Sequence, residues 1–146
     1  MNDLLVMAQI AGRRCAFRAH DVQSVIEIGA ITPVPATPDF IAGITAMRSQ
    51  ALTVIDCRTA IGFDCSQWEL DHRAIVVAVA GYSYALRIDA IEDITTGSDE
   101  AEPVPGGFGH EWSRVAHGLI ETRVGPALLL DIPALIAGPE PIGAAA

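Results

Sequence analysis

The sequence predicts an all-β protein of two similar five-stranded units, each curled into a small barrel that shares a hydrophobic core with the other, with short capping helices. Three observations lead there. The first is an internal repeat. Gly43, Arg48 and Asp56 in FIAGITAMRSQALTVIDCRTAIG answer to Gly118, Arg123 and Asp131 in RVAHGLIETRVGPALLLDIPALIAG at a constant offset of 75. Upstream, AGRRCAFRAHDVQSVIEI from Ala11 resembles AGYSYALRIDAIEDI from Ala80 at an offset of 69, which matches Val22 to Ile91 and Val25 to Ile94. A unit of about 70 residues used twice organises the whole chain. The second observation is many short apolar runs between Gly and Pro turns, with little helical pattern. The third is an apolar excess: 51% of residues are hydrophobic and 18% charged, with a mean hydropathy of +0.37. Barrel closure hides strand edges, and the excess finds a place between the two barrels.

The elements follow in order. Leu4 to Ile10 and Cys15 to Ala19 flank a turn at Gly12-Arg13 and read as a hairpin. In Val22 to Ile28 the apolar spacing fits either a helical turn or a strand, and periodicity does not choose. Pro33, Pro35 and Pro38 make Thr32 to Asp39 an extended loop, since proline donates no ladder hydrogen bond. Ile41 to Met47 and Ala51 to Ile55 form two strands around Ser49-Gln50; Asp56 then caps a short helix stopped by Gly62. Phe63 to Asp71 links the halves. Arg73 to Ala80 and Ser83 to Ile88 form a hairpin around Gly81-Tyr82. Ser98 to Gly109, acidic and then rich in Pro and Gly, is expected to be a mobile loop. Val115 to Thr122 pairs with Ala127 to Leu130, and Asp131 caps a last helix ending at Gly138. Residues 1–146 form one domain, with subdomains expected at 15–70 and 71–138, strand exchange near the N-terminus allowed, and a flexible tail over 139–146.

Composition excludes several function classes. The net charge is −9, and all nine basic residues are arginine. Without lysine there is no Schiff-base chemistry and no P-loop lysine, and without a basic stripe nucleic acid is not an expected partner. No apolar run approaches the roughly 18 residues of a membrane span, and no basic region precedes a hydrophobic one at the N-terminus. A cytoplasmic protein with no direct membrane insertion is expected. Cys15, Cys57 and Cys65 form no CxxC pair and read as packed reduced thiols.

Asp56 and Asp131, at equivalent positions, invite comparison with a paired-carboxylate protease site. Such sites need the Asp followed by Thr or Ser and then Gly; here Cys57-Arg58 and Ile132-Pro133 follow, and helix capping explains both. His20, His72, His110 and His117 show no metal-ligand spacing, Ser24 and Ser49 lie in no GxSxG elbow, and Gly106-Gly107 with Gly109 opens no nucleotide loop. No catalytic residue, cofactor or metal is expected. Arg48 and Arg123 are either solvated turn arginines or interface anchors, since arginine is enriched at binding hot spots.

Ile31-Thr32-Pro33-Val34-Pro35, then Pro38, Phe40, Gly43-Ile44, Arg48, Val54-Ile55-Asp56 and Arg58 resemble the signature of CheW-like domains. Ala85 to Asp89, Gly118-Leu119 and Leu128 to Asp131 resemble that family's later elements, so the resemblance covers Leu4 to about Ile136. It implies two SH3-like five-stranded barrels and a non-enzymatic adaptor. The implied role couples the cytoplasmic tips of chemoreceptors to the regulatory domain of a CheA-type histidine kinase, in membrane-associated arrays. It also implies that a receptor tip docks between the barrels, with Val22, Ile44 and Arg48 at or near that surface, and that Pro35, Gly43, Asp56, Gly118 and Asp131 belong to the structural motif. The family's Asn-Leu-Arg-Gly is Ala46 to Ser49 here, and its frequent Glu two positions after the valine at 22 is Ser24. The alternative reading is a β-barrel module binding a small molecule or peptide outside chemotaxis.

Overall fold

The computed structural model describes residues 3–63, 70–98, 100–103 and 109–139. Cys65, the middle of the expected inter-half link, Gly106-Gly107 and the tail from residue 140 lie outside them. The elements are β1 Asp3–Ile10, β2 Arg13–Arg18, β3 Val22–Glu27, β4 Ile41–Met47, β5 Gln50–Asp56, α1 Cys57–Ile61, β6 Arg73–Val79, β7 Tyr82–Arg87, β8 Ala90–Gly97, α2 His110–Val115, β9 Ala116–Thr122, β10 Gly125–Leu130 and α3 Ile132–Ala137. The open choice at Val22 resolves into a 3₁₀ turn, Ala19–Asp21, followed by a strand. Helix α2 has no counterpart in the sequence expectation: six residues are too few for a helical period to show.

The strands form two five-stranded sheets, a closed barrel ordered β1-β2-β10-β9-β8 and a second sheet ordered β3-β6-β7-β5-β4. The expected subdomain boundary at 70/71 is corrected by this pairing, because β6 and β7 join β3, β4 and β5 while β1 and β2 join β8, β9 and β10. Repeat-equivalent strands occupy the same places in both sheets. Each repeat has therefore donated its leading hairpin to the other, and the exchange is reciprocal. Each sheet contains one parallel junction, β10 with β2 and β5 with β7. The isolated bridges Thr32–Ile44 and Glu102–Leu119 correspond, as do the left-handed turn residues Ala11 and Ala80, with φ of 52° and 53°.

The sheets differ at one seam. Gly97 pairs with Thr122 to close the first barrel, helped by Ser98 N–H donating to Glu121 O at 2.9 Å. A side chain at Gly97 could not fit, since a Cβ there would lie 2.8 Å from the Glu121 carbonyl oxygen. At the equivalent place in the other repeat stands Ile28. The β3–β4 seam stays unzipped, and the Thr45 hydroxyl instead donates to Ala30 O at 3.0 Å.

Strand alternation gives three apolar clusters. Leu5, Met7, Ala16, Ile120, Ala127 and Leu129 fill the first barrel, and Leu52, Val54, Ala74, Val76 and Ala85 fill the second. The opposite faces, including Val6, Ala8, Ile10, Phe17 and Leu130 from one and Ile55, Ile75, Val77 and Leu86 from the other, meet in a shared core. Fully burying a side chain of this size contributes about 1.5–3 kcal/mol. The largest cluster lies between the barrels, where the apolar excess was expected to go. Arg58 of α1 reinforces the junction by pairing with Asp89 at 2.8 Å, while Asp89 also accepts from the Ala11 N–H at 3.0 Å.

Candidate docking cleft between the barrels

Strands β3 and β8 are repeat equivalents, and each carries a bulge at the same point. On β8 the register against β1 slips between Val6 and Ala8, leaving Glu92 and Asp93 together opposite Met7. On β3 the slip against β6 falls between Val22 and Ser24. Alternation would turn every second side chain away, whereas a bulge bends the strand and re-aims them. As a result the consecutive residues Ile91, Glu92, Asp93 and Ile94 all line one cleft, together with Val6, Val25 and Arg73. Val25 and Ile94 are 42% and 64% exposed, high for large aliphatic side chains, and they occupy matched positions in the two repeats.

One wall of the cleft is held by Asp71. Its carboxylate accepts from Arg73 Nε at 3.1 Å and Nη2 at 3.0 Å, from the Arg73 N–H at 2.9 Å and from the Ile91 N–H at 2.9 Å. The Arg73 guanidinium, aided by the two backbone N–H groups, holds the Asp71 carboxyl well below the usual carboxylate range despite its burial. Arg73 is correspondingly shifted up by Asp71. Because the folded-state value is depressed, this contribution is present above the unfolded carboxylate range near ~4 and is lost as pH falls through the folded-state value. Asp71→Asn is expected to cost about 2 kcal/mol in urea unfolding at pH 7, with the gap to wild type narrowing as the pH drops below about 4. A gap that did not change with pH would mean that packing, not the charge, is responsible.

The remaining cleft charges are unequal. Glu92 is engaged by Arg14 at 3.7 Å and Gln9 at 3.5 Å. Asp93 is exposed and has no polar partner among the described residues.

The residues singled out from sequence are dispersed. Val22 opens β3, half-buried against the shared core. Ile44 is 41% exposed on β4, and Arg48 is exposed in the β4–β5 turn with φ 59°. None of the three lines the cleft. Pro35 sits in an exposed turn before Ala36, whose φ is 62°. Gly43 and Gly118 are buried at the two isolated bridges. Asp56 accepts from Arg58 N–H at 3.1 Å and Thr59 N–H at 3.4 Å, and Asp131 from Ala134 N–H at 3.2 Å, so each carboxylate caps its own helix. Cys15 and Cys57 are buried in the shared core, and desolvation pushes both thiols well above their ordinary range. Among the described residues no group of three or more His, Cys, Asp or Glu could hold a metal ion. The repeat alignment matches Val25 to Ile94, but nothing in the sequence marks the two as exposed on one cleft.

The family model described as CheW-like domain matches residues 4–140. The chain belongs to the CheW-like domain family. Its CheW-like relatives include the chemotaxis protein CheW of Rhizobium meliloti, 29% identical over 100 residues, a match covering 62% of this chain and 64% of that protein's length. The chain thus spans just under two thirds of that relative. The probable chemotaxis protein CheW of Rhizobium etli is 28% identical over 135 residues, covering 86% of this chain and 87% of its own. Among solved structures, the scaffolding protein TtCheW from Thermoanaerobacter tengcongensis superposes with a TM-score of 0.78 at 24% identity, covering 90% of each chain. That likeness establishes the fold, the paired SH3-like units of CheW-like domains.

Proposed function

We propose that this chain is a non-enzymatic chemotaxis adaptor that couples chemoreceptors to a CheA-type histidine kinase. Family membership supports the class of role. The observation that carries the docking step is the matched pair Val25 and Ile94, exposed on either side of a cleft between the two barrels. Exposed aliphatic side chains flanking a groove suit an amphipathic helix laid along it, as in helix-in-groove recognition. The receptor tip, a helical hairpin, is the proposed occupant.

Val22 lies on the same strand as Val25, half-buried against the shared core. Ile44 and Arg48, away from the cleft, are assigned to the outer edge of the receptor contact, with Arg48 as a rim anchor. The kinase regulatory domain meets another surface, and the assembly is cytoplasmic at membrane-associated receptor arrays. No helix among the described residues is long and apolar enough to cross a membrane.

Co-sedimentation with a receptor cytoplasmic fragment and the kinase from the same genome tests this. Ile94→Asp places a charge where an apolar contact is expected and should weaken receptor association at least about tenfold, a cost of about 1.4 kcal/mol or more, while sparing the kinase. Arg48→Ala should weaken it less, by about threefold, as rim charges do. If wild-type protein associated with neither partner, the reading would fall and the small-molecule or peptide-binding module would replace it.

A further inference from the structure

The two exposed aliphatic side chains of the cleft, Val25 and Ile94, do not by themselves tell one end of a bound helix from the other. Val25 and Ile94 are repeat equivalents, carried on equivalent bulged strands at the meeting of two equivalent sheets. A helix resting on this pair alone meets matched aliphatic side chains in either direction, although Val6 and Ile91 also line the cleft while their repeat equivalents do not. Charge differs as well. The residue before Ile94 is Asp93; the residue before Val25 is Ser24. Of the other two charged residues lining the cleft, Arg73 is bound by Asp71, and Glu92 is ion-paired with Arg14 at 3.7 Å and accepts from Gln9 at 3.5 Å through one oxygen, its other oxygen making no hydrogen bond among the described residues. Asp93 is exposed, lines the cleft and has no polar partner among the described residues.

We propose that Asp93 is the orientation determinant of the docking cleft: it selects a partner helix that carries a basic residue beside its apolar stripe and fixes which way that helix runs. This deepens the docking proposed above and rests on it. The physical logic is that of a single polar group in an otherwise apolar seam, which specifies register and direction more than it adds affinity. With the helix reversed, its basic residue would face Ser24 and the Asp93 carboxylate would lose its partner against apolar surface, an arrangement disfavoured by unpaired charge.

The test moves the carboxylate to the equivalent site without changing net charge, in the double variant Ser24→Asp with Asp93→Ser. The probe is a chemoreceptor cytoplasmic tip fragment from the same genome, bearing a nitroxide at one end of its apolar stripe. Relaxation broadening of the Val25 and Ile94 methyl resonances reports direction. In wild type one of the two methyl sets should broaden strongly and the other weakly. In the double variant the ranking should reverse, with affinity within about threefold of wild type, as expected for a relocated rim charge. Asp93→Ser alone should leave both sets broadened and flatten the salt dependence of binding. An unchanged ranking in the double variant, with binding intact, would overturn the role of Asp93 while leaving the docking reading in place. No binding by wild type would remove the docking reading itself.

Discussion

Gly43→Ala and Gly118→Ala should each cost about 4 kcal/mol, a loss felt by the whole molecule and not by one barrel. Both glycines take left-handed φ, 147° and 154°, and both lie where a neighbouring backbone crosses their strand. A methyl at Gly43 would overlap the Thr32 carbonyl oxygen, and one at Gly118 would lie 2.6 Å from the Glu102 carbonyl oxygen. The obstruction is main chain, so no rotamer change relieves it. Steric overpacking costs about 1–3 kcal/mol and holding an alanine in that backbone region about 1–3 more, so a loss of about 4 kcal/mol is expected. Against a total of roughly 5–15 kcal/mol for a domain of ordinary stability, that is between about a quarter and four fifths of the whole. Gly29→Ala, which would meet nothing within 4 Å and has no left-handed φ, is the control and should change stability by less than about 0.5 kcal/mol.

The shape of the transition matters as much as its midpoint. Neither barrel is a continuous piece of chain: unfolding the sheet that holds Gly43 would pull out β6 and β7, which belong in sequence to the repeat of the other barrel. It would also strip half of the shared core. Both variants should therefore unfold in a single urea transition that fluorescence and circular dichroism report together. Two resolved transitions in the Gly43 variant would show that the barrels are separable and that the exchanged hairpins do not couple them.

How far such features can be read from sequence depends on whether the signal is local. The repeat was legible because the same demands recur in both halves and leave the same letters twice: capping at Asp56 and Asp131, which acts within three residues, and the steric demand at Gly43 and Gly118, set by the backbone of Thr32 and Glu102 crossing at matched places. The hairpins at Gly12 and Gly81 were legible for the same reason. The exchange was not. A hairpin's own sequence states that its two strands pair with each other but not which distant strand accepts its free edge; β1 finds β8 more than 70 residues away. The cleft was half legible: the repeat matched Val25 to Ile94, but their exposure follows from bulges that depend on how β1 and β6 register against them. In sequence Asp71 and Arg73 are only a linker end and a strand start, since nothing local announces that one carboxylate will also bind the Ile91 amide.

Arg114→Met is the second substitution expected to be severe, and nothing in its sequence surroundings marks it out. From α2, one guanidinium nitrogen donates to Ala134 O at 3.2 Å and Gly138 O at 2.6 Å, and the other to Ala60 O and to Ile61 O at 3.1 Å. These carbonyls belong to the final turns of α3 and α1, where backbone acceptors have no partner inside the helix. One side chain thus closes the C-terminal ends of both capping helices, and its positive charge suits the negative end of each helix dipole. Methionine keeps most of the aliphatic stem but leaves four acceptors to solvent or to nothing, for an expected loss of about 3 kcal/mol. Arg114→Lys separates charge from geometry: a point ammonium has no planar fork to span two helix ends and should recover less than half of that loss. The local signature is faster amide exchange in α1 and α3 together, at conditions where β1 and β6 remain protected. Loosening of α3 with α1 unaffected would mean that Arg114 caps one helix and merely neighbours the other.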